Sequence, residues 1–219
     1  MKLEKIKINF LGDSITEGAG CSGQDKIYHA LLAKKYHMDA YVDGIGGSRF
    51  ARQVQIDPES RADRDFCMRV EEMPEGADAV VVFGGTNDFG HGTAPIGTPE
   101  DRTPDTFYGA CHHLFARLLE RFPDAMIVIM TPLHRSNEDC PHGDNKPSPV
   151  GTLSQYVKII CEVAQIYSLP VLDLYRNSGM TPRVPLIKEQ MMPDGLHPND
   201  HGHERLAALL EAFLLNSRA

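Results

Sequence analysis

The chain has 219 residues, 42% of them apolar and 24% charged, a size and balance that suit one soluble domain spanning 1–219. Its formal net charge of −8 argues against a nucleic-acid partner, which needs a basic face, and against docking on anionic membranes. No apolar run approaches the roughly 20 residues of a membrane span. The N-terminal stretch MKLEKIKINFLGDS passes directly into alternating apolar residues, so no signal peptide is expected. Cys21, Cys67, Cys111, Cys140 and Cys161 are scattered, odd in number and without C-x-x-C spacing, which points to reduced thiols in a cytoplasmic protein.

In chain order, Lys5 to Leu11 predicts a first strand, with Ile6, Ile8 and Phe10 at period two. Asp25 to His37 reads as a helix through Ile27, Ala30, Leu31 and Lys34, and Met38 to Val42 as a short second strand. Arg61 to Met73 is expected to be helical. Ala79 to Phe83 is a continuous apolar run, the pattern of a parallel strand buried on both faces. Phe107 to Phe122 is amphipathic and stops at Pro123, and Met126 to Met130 forms a fourth strand. Leu153 to Tyr167 is a helix, and Val171 to Leu174 a fifth strand. Leu206, Leu209, Leu210, Phe213 and Leu214 share one face of a last helix. This alternation predicts an α/β fold, a five-stranded parallel sheet with helices on both faces. Two long loops interrupt it, Gly90 to Pro104 and Leu133 to Val150.

Open α/β sheets carry their sites at the carboxyl ends of the strands. The first strand is followed by Gly12-Asp13-Ser14-Ile15-Thr16-Glu17-Gly18, the second by Gly44-Ile45-Gly46-Gly47-Ser48, and the third by Gly84-Gly85-Thr86-Asn87-Asp88. Asp194-Gly195-Leu196-His197-Pro198 precedes the last helix. These segments fill every role of an acyl-transfer site. Ser14 supplies a nucleophile in a tight turn, His197 a base, and Asp194 a carboxylate to orient the imidazole. The Asn87 amide and the backbone N–H groups of Ser14 and Gly47 can donate to an oxyanion.

Singly, each residue has a plainer reading. Ser14 could cap a helix, Gly47 serve a turn, Asn87-Asp88 and Asp194-Gly195 form turns, and His197 lie on the surface. Asp88 could support Asn87 or merely solvate its loop. A nucleotide site is not expected, because GDSITEG lacks the P-loop lysine and a G-x-G-x-x-G pattern. Metal ligation would draw on His197, His201 and His203, or on Cys140, His142 and Asp144, but there is no H-E-x-x-H and no paired cysteine. His112-His113 is expected to be partly solvated on its helix. Phe89, Met191 and Met192 read as core or pocket lining.

Together the four segments resemble the sequence blocks of the SGNH, or GDSL-like, hydrolases, from residue 12 to residue 198. The resemblance implies a flavodoxin-like three-layer fold and a serine esterase that needs no cofactor. It implies a catalytic Ser14, Asp194 and His197, with Ser14, Gly47 and Asn87 forming the oxyanion hole. The second block is the loosest match, so Gly46 competes with Gly47. The expected partner is a small-molecule ester, with a short acyl group, acetyl above all, on a carbohydrate alcohol. Lysophospholipase or thioesterase activity is the alternative within acyl chemistry, and a non-catalytic carbohydrate- or acyl-binding domain the alternative outside it. The oligomeric state stays open.

Overall fold

The computed structural model describes residues 1–217. It begins with β1 (Lys7–Gly12), the single turn α1 (Ser14–Glu17), α2 (Tyr28–Tyr36) and β2 (Asp39–Gly44). Next come the single turn α3 (Phe66–Arg69), β3 (Ala79–Phe83), a short α4 (Thr86–Gly90), α5 (Phe107–Arg121) and β4 (Met126–Met130). The chain ends with α6 (Leu153–Ile166), β5 (Val171–Leu172), α7 (Leu174–Asn177), α8 (Pro185–Met191) and α9 (Asp200–Asn216).

The strands lie in the order β2-β1-β3-β4-β5, and every pair is parallel. The chain winds outward from β1 to β2, then returns past β1 to β3. The order therefore reverses between β1 and β3, where α/β sheets open a crevice at their carboxyl edge. Register sharpens this placement. Gly12 stands opposite Gly44 on one side and Phe83 on the other, so the first three post-strand segments leave the sheet at one level.

Alternate strand residues enter two cores. Leu11, Val80, Val82 and Ile129 pack with Phe66, Leu114, Leu118 and Ile160 from α3, α5 and α6. Phe10, Val81, Phe83 and Val128 pack on the opposite face with Tyr28, Leu32, Leu206 and Leu210 from α2 and α9. All five β3 residues are buried, which is why that strand reads as an unbroken apolar run. No helix among the described residues is long and apolar enough to cross a membrane.

The structure corrects several expectations. The helix expected over Arg61 to Met73 breaks into one α turn flanked by two 3-10 turns. Asp65 causes the break: it is extended, and its carboxylate accepts the Met68 N–H at 2.8 Å, so α3 starts after it. β5 is two residues long because Asp173 leaves the sheet to cap α7, accepting the Arg176 N–H at 3.0 Å. The α8 helix has no counterpart among the expected elements, although Pro185 at its first turn is a start signal. His112 is buried rather than partly solvated, with Nδ1 3.2 Å from the Tyr167 hydroxyl. Phe89 and Met192, by contrast, are core residues as expected.

Candidate active site

A tight turn delivers Ser14. A Cβ on Gly12 would sit 1.9 Å from the Thr16 hydroxyl oxygen, so only glycine fits where β1 meets α1. Asp13 caps the helix, its Oδ1 accepting the Ile15 N–H at 3.0 Å. Ser14 is thus the first helical residue and its hydroxyl is not used as a cap. Burial raises the Asp13 pKa to about 6, against the Ile15 N–H and the charges of His197 and Arg69.

The segment before α9 brings the partners. Ser14 Oγ lies 3.0 Å from His197 Nε2, across 183 positions of sequence. His197 Nδ1 lies 2.7 Å from Asp194 Oδ2. The other carboxylate oxygen accepts the N–H groups of Leu196 at 2.8 Å and His197 at 2.7 Å. Burial opposes ionisation of Asp194, but these donors outweigh it and hold the carboxyl below its usual value. The carboxylate accepts from Nδ1–H, so the Nε2 lone pair faces the serine hydroxyl. Asn199 caps α9 through the Gly202 N–H at 3.1 Å, which sets where His197 leaves the loop.

The β2 and β3 segments present donors. Asn87 Nδ2 donates to Ser48 O at 3.0 Å, leaving its second hydrogen free, and Asn87 Oδ1 faces His91 Nε2 at 3.2 Å. The Gly46 N–H is taken: it donates to Glu17 Oε2 at 2.6 Å. Among the described residues no acceptor meets the Gly47 N–H or the Ser14 N–H. Gly47 has φ +77°, a left-handed conformation that favours glycine.

Three residues that build this rim were not anticipated in these roles. Arg69 is fully buried; it donates to Asp43 O, Asp43 Oδ1 and Gly12 O at 3.0 Å and to Ser48 Oγ at 2.9 Å, tying the β1 and β2 ends together. Its signal was a charge set between Phe66, Cys67 and Val70, where a buried cation needs partners. Asp88 neither bonds to Asn87 nor solvates the loop. It is buried, and its carboxylate accepts the Phe50 and Ala51 N–H groups at 3.0 Å each. Arg49 carried no motif, yet it is buried between Gly47, His91 and Asp63.

The other histidine clusters do not assemble. His203 is buried and accepts the Tyr28 N–H at Nδ1, whereas His201 is exposed. Asp144 pairs with Arg135 at 2.7 Å, and His142 Nδ1 meets Lys146 O at 2.9 Å. No group of three or more His, Cys, Asp or Glu side chains among the described residues is arranged to hold a metal ion.

The sequence profile of the GDSL-like Lipase/Acylhydrolase family matches residues 10–205. A protein of known structure from Lactobacillus plantarum is 30% identical, with 99% of each chain covered and a TM-score of 0.83. A lipase/acylhydrolase from Enterococcus faecalis is 23% identical over 98% of this chain and 100% of its own, with a TM-score of 0.64. An acetyl xylan esterase is 20% identical over 95% of this chain and 100% of its own, with a TM-score of 0.66. No curated protein sequence matches the chain.

Proposed function

The chain belongs to the GDSL-like lipase/acylhydrolase family, and from that premise we propose that it is a carboxylic ester hydrolase acting through an acyl-enzyme on Ser14. The observation that carries the reading is the Ser14–His197–Asp194 hydrogen-bond chain, with links of 3.0 and 2.7 Å. Ser14 Oγ attacks the ester carbonyl while His197 Nε2 takes the hydroxyl proton. The carbonyl oxygen becomes an oxyanion facing the Ser14 and Gly47 N–H groups and the free hydrogen of Asn87 Nδ2. Gly47 is preferred over Gly46 because the Gly46 N–H is occupied by Glu17. As the tetrahedral intermediate collapses, His197 gives its proton to the departing alcohol and the acyl group stays on Ser14. Water then repeats the cycle, losing a proton to His197 and releasing the carboxylic acid.

The substrate half of the proposal is a short acyl group, acetyl above all, on a carbohydrate alcohol. Ile15, Phe83, Leu133 and Leu196 pack beside the turn that carries Ser14 and leave no room between them for a long acyl chain. A roomier cleft of about 400 Å³ is lined by His91, Thr93, Asn145 and Ser148 together with Pro147 and Val150, and its hydroxyl and amide groups suit a hydroxyl-bearing leaving group. The likeness to an acetyl xylan esterase points the same way. A cytoplasmic location is supported by five cysteines that form no disulfide.

Ser14→Ala is expected to abolish ester hydrolysis with the circular dichroism spectrum unchanged; activity retained by that variant overturns the nucleophile. The substrate class is tested by kcat/KM over acetyl, butyryl, octanoyl and palmitoyl esters of one leaving group, alongside acetylated sugars. A fall with chain length supports the short-acyl reading. A rise favours a lysophospholipase or thioesterase, and preference for acetyl without turnover of acetylated sugars removes only the carbohydrate half.

A further inference from the structure

The two oxyanion donors that come from different loops are joined by a pair of side chains. Arg49 Nη1 donates to Gly47 O at 3.1 Å and faces His91 Nδ1 at 3.3 Å. Arg49 Nη2 is paired with Asp63, and the guanidinium is buried. On its other side the His91 ring meets Asn87 Oδ1 through Nε2 at 3.2 Å.

Donor and acceptor types leave one consistent assignment. Asn87 must present Nδ2 to the Ser48 carbonyl, because an oxygen there would face an oxygen; its Oδ1 therefore points at His91. An acceptor at that point needs a donor, so His91 Nε2 carries hydrogen. Arg49 can only donate, so His91 Nδ1 must accept. His91 is then neutral, in its Nε2–H form. Desolvation and the Arg49 charge lower its pKa, against Asp144, with Lys146 and Arg135 adding to the lowering.

We propose that Arg49 and His91 are positioning residues, a bracket that holds the Gly47 backbone and the Asn87 amide as one oxyanion-binding unit. The inference rests on the reading of Ser14 as nucleophile. A side chain that can rotate its amide loses catalytic value, because a preorganised donor is worth more than one that must reorient during the reaction. His91 denies Asn87 that rotation without touching the substrate oxygen. Arg49 transmits the constraint to Gly47, so the β2 and β3 loops cannot drift apart while the acyl group reacts.

Three replacements at His91 and one double variant test this. Measured on an activated acetyl ester whose leaving group is not a sugar, His91→Ala is expected to lower kcat about tenfold, less than the loss of a direct oxyanion donor, with KM and melting temperature nearly unchanged. His91→Gln offers both a donor for Asn87 and an acceptor for Arg49, and is expected to restore most of the activity. His91→Glu offers only acceptors; it is expected to be at least as impaired as alanine despite its similar reach. On an Asn87→Ala background, His91→Ala is expected to cost nothing further, since the amide it orients is gone. Unchanged kcat in His91→Ala, a glutamine variant as poor as alanine, or full additivity with Asn87→Ala would each overturn the bracket. Loss confined to KM would do the same and make His91 a substrate contact. Ser14→Ala separates the two levels: if it stays active the nucleophile reading fails, and if it is inactive while His91 behaves additively only the bracket fails.

Discussion

A serine at the start of a helix ordinarily commits its hydroxyl to a backbone N–H. Here Asp13 meets that demand through the Ile15 N–H, and Ser14 Oγ is left for His197. The same one-residue logic separates the competing glycines: Glu17 occupies the Gly46 N–H and nothing among the described residues occupies that of Gly47. Asn87 gives one amide hydrogen to Ser48 O, and the other meets no acceptor among the described residues. Asn87→Ala is therefore expected to lower kcat by about 10²- to 10³-fold, roughly 3 to 4 kcal/mol, with KM little changed. That selectivity for kcat belongs to the proposed oxyanion role, since an oxyanion carries charge only in the transition state. Steady-state kinetics on an activated ester checks it, and a loss mainly in KM would make Asn87 a ground-state contact.

At the level of elements, the loop after β2 is held from two sides. Arg69 from α3 reaches Gly12, Asp43 and Ser48, and Asp88 from α4 receives the Phe50 and Ala51 N–H groups. Burial raises the Asp88 pKa to about 7, against those two N–H donors and the charges of Arg49 and Lys146. Between the usual value of 3.8 and about 7 the folded state therefore holds a proton that the unfolded chain releases. Stability from this group is complete below that window and is lost as pH rises through it. The buried His203, whose pKa burial lowers to about 4, contributes with the opposite sign, so the raw pH slope is mixed. The informative quantity is a difference. Asp88→Asn keeps only one acceptor for two N–H groups and is expected to be less stable at pH 4. Its deficit relative to the unaltered protein should shrink as pH rises from about 4 to about 8, because only the unaltered protein loses the contribution of the Asp88 proton over that range. Urea titrations of both proteins at several pH values measure it. A deficit that is constant with pH would show that Asp88 does not titrate in this range.

Across the whole molecule, the sheet divides labour between stability and chemistry. The helices bury both faces, while the carboxyl edge collects the polar segments. Leu114 on α5 is fully buried in the core containing Val80, Val82 and Ile129. Leu114→Ala is expected to cost about 2 to 5 kcal/mol through lost burial and a residual cavity. For a chain of this size that is a fall in melting temperature of roughly 4 to 20 °C. The kcat per folded molecule should remain unchanged, because Leu114 is an apolar member of the core cluster and belongs to none of the four polar segments. Calorimetry combined with active-site titration tests this, and a kcat that falls in step with stability would mean that the core and the rim are coupled.

Strands with a local signal are legible in the amino-acid order alone. Ala79–Phe83 and Met126–Met130 were delimited by their apolar runs alone, because parallel strands buried on both faces need such runs. The sequence also exposed the four polar segments and the close pair Asp194 and His197, whose contact spans only three positions. Tertiary structure decided the rest. The 3.0 Å approach of Ser14 to His197 depends on strand order and register, which no short window encodes. The burial of Arg69 and Asp88 is legible only once distant backbone donors and acceptors are placed around them. The broken helix at Asp65 shows the same limit within one segment. An apolar period predicts a continuous helix, but a carboxylate that can bond the Met68 N–H offers the backbone an alternative, and only packing chooses between them.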